Sequence, residues 1–134
     1  MVDDEPKLRL RVVLGLAVAI GPGKADLLAG IAESGSIAAA GRRMGMSYKR
    51  AWTLIDEMNR CFATPLVEGM RGGAHGGGAR LTPVGREVLT LYRRIEARAG
   101  KAASRELDRL RELVTAAPAI TPPDNLPLGD DEAP

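Results

Sequence analysis

An α+β fold follows from three patterns in the sequence. The even positions Leu8, Leu10, Val12, Leu14, Leu16, Val18 and Ile20 are all apolar, while the odd positions begin Lys7, Arg9, Arg11. That period of two marks a strand with one buried face. Between Gly35 and Asn59 a short helix, a glycine and a longer helix follow one another, each helix preceded by a serine suited to cap it. From Val84 to Val114 apolar residues recur every three or four positions, the spacing of one helix face.

Residues 1–6 form a short acidic arm. Lys7–Ile20 reads as one strand with Gly15 as a candidate bulge, and Gly21-Pro22-Gly23 as a turn. Lys24–Glu33 reads as a helix with Leu27, Leu28 and Ile31 inward, ended by Ser34-Gly35. Ser36 caps a helix over Ile37–Met44, Gly45 stops it, and Ser47 caps a helix over Tyr48–Phe62. Leu66–Met70 and Ala79–Leu81 are short strands of a hairpin around the loop Arg71–Gly78. Thr82-Pro83, a cap followed by proline at the first helical position, opens a long helix reaching about Ala116. Residues 117–134 hold five prolines, four acids and no basic residue, a composition that predicts disorder. The expected plan is an arm at 1–6, a body at 7–116 whose dimer helix occupies about 83–116, and a tail at 117–134.

The 134 residues suffice for one domain with its own core. Aromatics are 3%, so that core must come from Leu, Ile, Val, Ala and Met. The longest mostly apolar run, Val12–Gly21, falls well short of the about 20 residues a membrane helix needs. One cysteine, Cys61, and one histidine, His75, exclude an internal disulfide and a Cys/His zinc site within the chain. A Ser-His-Asp mechanism would have to use His75, which sits in a run of glycines. No catalytic residue, cofactor or metal is expected, and the chain does not read as an enzyme. Lys7–Ile20 has a faint likeness to a secretory signal, but Asp3, Asp4 and Glu5 place acid where such a signal is basic. The single cysteine suits a reducing cytoplasm.

The net charge of +2 hides an asymmetry. All 19 basic residues lie between Lys7 and Arg111, and seven of the 17 acids lie in the two ends. The body thus sets 19 basic residues against ten acids, a net +9. Such a body favours a polyanionic partner, most simply nucleic acid; solvated charge on an arginine-rich surface is the other reading.

A helix-turn-helix needs a small residue where its helices touch, a glycine in the turn and apolar residues that hold the pair at a steep angle. Ala40 and Gly41 supply the first and Gly45 the second. Met44, Met46, Ala51, Leu54 or Ile55, and Met58 supply the third. Helical spacing turns Tyr48, Lys49, Trp52, Thr53, Asp56 and Arg60 outward. A plain helical hairpin shares this apolar spacing. It does not account for Lys49-Arg50 at the front of the second helix, where a recognition helix meets base edges, nor for Trp52 facing water. The loop Gly69–Gly78 holds six glycines in ten residues, with Arg71 and His75 inside it and Arg80 after it. It lacks the Gly-Lys-Ser/Thr ending of a nucleotide-binding loop. It fits a wing, in which glycines allow close approach to a sugar–phosphate backbone and Arg71 and Arg80 pair with phosphate; a tip that touches nothing is the alternative. His75 reads as an exposed loop residue.

Ser34-Gly35-Ser36-Ile37, Gly45-Met46-Ser47-Tyr48-Lys49-Arg50-Ala51-Trp52 and Asp56-Glu57-Met58-Asn59 resemble the DNA-binding domain of the ModE-type, molybdate-responsive transcription regulators. Leu66-Val67-Glu68, Gly76-Gly77-Gly78-Ala79, Leu81-Thr82 and Gly85 extend the match, which covers about Leu8–Ala116. The winged helix-turn-helix of LysR-type bacterial regulators is similar more distantly. The resemblance implies operator binding by a homodimer, and molybdate binding by separate C-terminal domains. Only the acidic tail follows the long helix here, so molybdate sensing is not expected of this chain.

The stripe Val84, Val88, Leu91, Ile95, Ala99, Ala103, Leu107, Leu110 and Val114 runs along Pro83–Ala116, which would span about 51 Å in an unbroken helix. One small domain cannot bury that length. Its far part, at Leu107, Leu110 and Val114, is expected to pack on a second copy, with Gly100 a candidate break. A helix folded back on its own first strand is the alternative. Cys61 is expected to pack rather than sense redox state.

The expected molecule is a winged helix-turn-helix with an N-terminal strand and a long C-terminal dimerisation helix. Its expected function is that of a dimeric, sequence-specific DNA-binding transcription regulator. Ser47, Tyr48, Lys49, Arg50, Trp52 and Thr53 would read the major groove of an inverted-repeat operator. Ser36, Arg71, Gly72, Gly73, His75 and Arg80 would touch the backbone. The alternatives are a winged-helix protein-interaction module without specific DNA binding and a small oxyanion-binding protein.

Overall fold

The computed structural model describes residues 8–15, 19–70 and 78–114. Within them the order is β1 (Val12–Val13), β2 (Ala19–Ile20), α1 (Pro22–Ser34), α2 (Ile37–Arg43), α3 (Tyr48–Cys61), β3 (Val67–Met70), β4 (Gly78–Leu81), α4 (Pro83–Ala102) and α5 (Ser104–Leu113). The arm at 1–6 and the tail at 117–134 lie outside the described residues.

The N-terminal segment is not one strand. β1 and β2 pair antiparallel, Val12 opposite Ile20 and Val13 opposite Ala19, so the chain doubles back. Gly15 takes φ 121, which L side chains rarely adopt. A lone long strand would leave its backbone donors and acceptors without protein partners, and doubling back pairs some of them.

Ser36 Oγ accepts from Ala39 N at 3.0 Å, Ser47 Oγ from Arg50 N at 3.0 Å, and Thr82 Oγ1 from Gly85 N at 2.9 Å. Each expected cap therefore satisfies one of the amides that a helix start leaves open. α1 begins earlier than expected because Pro22 takes the first helical turn rather than a turn before it.

The core gathers Leu27, Leu28 and Ile31 of α1, Ile37 and Ala40 of α2, and Ala51, Ile55 and Met58 of α3 under Leu66, Val67, Ala79 and Leu81. Tyr92 of α4 joins it, a buried aromatic that composition alone did not single out. Its hydroxyl donates to Leu10 O at 2.6 Å, tying the first half of α4 to the N-terminal segment. Burial, reinforced by the nearby Glu96 carboxylate, holds the Tyr92 phenol above its ordinary pKa.

The expected continuous helix is interrupted at Ala103, not at Gly100. The Ala103 amide is shared between Ala99 O and Lys101 O, which tightens the turn there, whereas Gly100 sits within regular helix. α5 buries none of its residues. The two alternatives for this region thus divide along its length: α4 lies against the chain's own first hairpin, and α5 leaves Leu110 and Leu113 open at 60% and 59% exposure.

Candidate nucleic-acid interface

The crossing of α2 and α3 rests on atoms too small to keep the helices apart. A Cβ at Gly41 would stand 3.1 Å from Ala51 Cβ, so a larger residue there would force the pair open. Gly45 takes φ 70 in the turn, and Met46 N reaches back to Gly41 O at 3.0 Å. Ala51, Ile55 and Met58 hold the inner face of α3.

The outer face follows by helical spacing. Lys49, Thr53, Asp56 and Arg60 form the row opposite the buried residues, and all four are exposed. Lys49 and Arg50 are exposed at the start of the helix, and neither pairs with a carboxylate among the described residues. Further along, Arg60 Nη2 sits 3.0 Å from Asp56 Oδ2. Thr53 Oγ1 donates to Lys49 O at 3.0 Å, spending its proton on its own helix.

Tyr48 and Trp52 lie one turn apart on the flank that faces β3 and β4. They line a groove with Ile37, Ile55, Val67 and Met70. Their rings meet edge to face, centroids 6.5 Å apart at 82°, and the Trp52 indole N–H donates to the Tyr48 hydroxyl. Tyr48 stays 57% and Trp52 43% exposed, so the expectation of a water-facing tryptophan holds.

β3 and β4 pair antiparallel with Val67 opposite Leu81 and Met70 opposite Gly78, the hairpin expected of a wing. Arg80 stands opposite Glu68, and its Nε lies 2.8 Å from Glu68 Oε2. Arg80, expected to pair with phosphate, is thus engaged by a carboxylate of its own hairpin. Both partners are exposed, so the pair is weak and open to exchange for a stronger anion. Arg71, Gly72, Gly73 and His75 lie outside the described residues. Ser36 is half-buried, its oxygen taken up in the α2 cap.

One side chain fixes the hairpin to the helix. Asn59 Oδ1 accepts from Leu66 N at 2.8 Å and Val67 N at 3.2 Å, and its Nδ2 donates to Val67 O at 3.1 Å. Ala79 N adds a bond to Gly35 O at 2.9 Å, anchoring β4 between α1 and α2. The signal for Asn59 in the sequence is an amide side chain one turn past the buried Ile55. Arg42 is exposed in the last turn of α2 and likewise has no carboxylate partner among the described residues. Arg43 beside it bonds Glu33 at 2.8 Å.

Cys61 is exposed, not packed as expected. Phe62, four residues after Met58, takes the inward position and packs against the core in its place. Leu107 is half-buried, Leu110 is exposed, and Val114, 72% exposed, lies just past α5. Among the described residues no helix is long and apolar enough to cross a membrane, and no group of three or more His, Cys, Asp or Glu could hold a metal.

A closely crossed helix pair with a capped, exposed outer helix and a β-hairpin fixed beside it defines a winged helix-turn-helix domain. Residues 24–86 match the family model described as the bacterial regulatory helix-turn-helix protein of the LysR family. The chain is homologous to ModE-type regulators. It is 45% identical over 85 residues to the molybdenum-pterin-binding protein MopB of Rhodobacter capsulatus, covering 63% of this chain and 32% of that protein. It is 36% identical over 105 residues to the molybdenum transport protein ModE of Azotobacter vinelandii (78% of this chain, 39% of that protein). It is 46% identical over 71 residues to the DNA-binding transcriptional dual regulator ModE of Escherichia coli K12 (53% and 27%). The chain thus spans about a third of the length of these curated relatives. The crystal structure of the CbnR DNA-binding domain in complex with DNA is similar at a TM-score of 0.51 and 25% identity, covering 65% of this chain and 94% of that one.

Proposed function

We propose that this chain is a dimeric, sequence-specific DNA-binding transcription regulator of the ModE type. The observation that carries the reading is the placement of Lys49 and Arg50. They stand exposed at the N-terminal end of α3, without carboxylate partners among the described residues, on a helix held out by the Gly41–Ala51 crossing. That is where a recognition helix meets base edges and phosphates. Ser47 presents the start of the helix, and Tyr48, Trp52 and Thr53 widen its contact. Arg80, released from Glu68, reaches phosphate from the wing side, and Arg71, Gly72, Gly73 and His75, which lie outside the described residues, are proposed as further backbone contacts. Ser36 supplies a backbone contact from the start of α2. The basic body agrees with a polyanionic partner. The relatives' names and the DNA complex of the structural neighbour support the same role.

Dimerisation rests on apolar surface left open on the first hairpin, α4 and α5. Leu91 and Ile95 of α4 are 47% and 43% exposed, Leu110 and Leu113 of α5 more so, and Leu14 of the first hairpin adds to the patch. A second copy seated there would cover it and set two recognition helices about 34 Å apart, which requires an inverted-repeat operator. Capture of genomic fragments by the purified chain, followed by sequencing, tests the proposal. Enrichment of an inverted repeat is expected, and recovery of fragments without any shared sequence would overturn it.

A further inference from the structure

Given that α3 binds DNA, its exposed aromatic pair has a chemistry of its own. Two large rings stand in water beside two cations, on a surface whose partner would be a polyanion. Exposed rings in such a place offer apolar area to whatever docks there. The hydrogen-bond donors around them narrow what that contact can be. The only donor of Trp52, its indole N–H, is spent on the Tyr48 hydroxyl. The Thr53 proton is spent on Lys49 O at 3.0 Å. The rings brace each other edge to face at 6.5 Å, and the groove behind them is floored by Ile37, Ile55 and Val67. What the flank offers outward is ring carbon, with the Tyr48 proton at its edge. In the major groove, acceptors and donors on base edges are served by side chains with free polar groups, and here Lys49 and Arg50 supply those. The base-edge group that rewards carbon is the C5-methyl of thymine.

The geometry points to Trp52, held by Tyr48, as a specificity-determining residue that reads a thymine methyl group in each half-site. The indole acts through its ring and not through its N–H. A deoxyribose of the backbone is the competing apolar neighbour, and it carries no base preference.

The test uses the full chain and a duplex recovered by selection from random sequence, prepared also with deoxyuridine in place of thymidine one position at a time. Deoxyuridine pairs as thymidine does and lacks only the methyl. Wild-type protein is expected to lose about fourfold in affinity at one position in each half-site, the worth of burying one methyl-sized group, and to be indifferent elsewhere. Trp52→Ala is expected to bind the two forms equally at that position. Trp52→Phe keeps a ring without the donor and is expected to keep the preference, so a folding defect in the alanine variant would not hide the answer. Equal binding of thymidine and deoxyuridine duplexes by the wild-type protein at every position would overturn the inference while leaving DNA binding intact. Loss of the preference in Trp52→Phe would overturn it too, by showing that ring carbon at this position does not carry the reading. Absence of any selected duplex would overturn both this inference and the function on which it rests.

Discussion

Replacing Asn59 tests whether the wing is fixed to the recognition helix by one amide. Asn59→Leu keeps the shape and removes three hydrogen bonds, two accepted from Leu66 N and Val67 N and one donated to Val67 O. At about 1 kcal/mol net per bond the sum is about 3 kcal/mol. Asn59 is half-buried, so water recovers part of it, and a loss of about 2 kcal/mol is expected. Asn59→Asp keeps both accepted bonds, loses the donor and sets a carboxylate against the Val67 carbonyl; its loss should fall between wild type and Asn59→Leu. Urea unfolding followed by circular dichroism reads both, the leucine variant shifting the midpoint by about 1 M with an unchanged slope. DNA affinity of the still-folded leucine variant should also fall, because β3 and β4 are no longer held in register with α3. A leucine variant as stable as wild type would show that these three bonds do not hold the hairpin in place.

The Glu68–Arg80 pair should act as a brake on the wing: Glu68→Gln should tighten binding to all duplexes alike, and Arg80→Ala should lower the magnitude of the salt slope by about 1, both read by fluorescence anisotropy across a salt series. Unchanged slope with altered sequence preference in Arg80→Ala would count against a phosphate contact. Leu110→Glu with Leu113→Glu should give a folded monomer that binds one half-site weakly, because α5 buries nothing within its own chain; light scattering checks it, and a wild-type monomer at micromolar concentration would contradict the dimer. Tyr92 has a folded pKa raised above its unfolded value of 10.0, so its contribution to stability is complete below that pH and is lost as pH rises through the folded value. Unfolding midpoints compared between neutral and strongly alkaline pH should fall more for wild type than for Tyr92→Phe, and equal falls would assign the pH dependence elsewhere.

The parts of the fold that could be read from the chain were those fixed by local chemistry. Ser36, Ser47 and Thr82 cap where expected because a side-chain oxygen three residues before an amide is a local arrangement. The α2–α3 crossing was legible because Gly41, Gly45 and Ala51 are small at the required spacing. The N-terminal hairpin was not legible, because period-two alternation is the same on both arms of a hairpin as in one long strand, and only Gly15 hinted at the reversal. The interruption at Ala103 depends on how one backbone amide is shared, which side-chain pattern does not encode. In the candidate site, Lys49 followed from helical phase, and Arg50 from its place at the front of the helix that Ser47 caps. The engagement of Arg80 by Glu68 depended on cross-strand register, which is known only once β3 and β4 are aligned. The role of Asn59 likewise needed the hairpin to be in place before its three partners could be named.

The proposed function requires that the exposed start of α3 read DNA. The most direct measurement is the affinity of Lys49→Ala and Arg50→Ala for a selected duplex and for an unrelated one, across a salt series, with folding checked by circular dichroism. Each variant is expected to lose about 1–3 kcal/mol on the selected duplex if its side chain reads a base, and less, uniformly on both duplexes, if it touches phosphate. Wild-type affinity for the selected duplex in both folded variants would contradict the account.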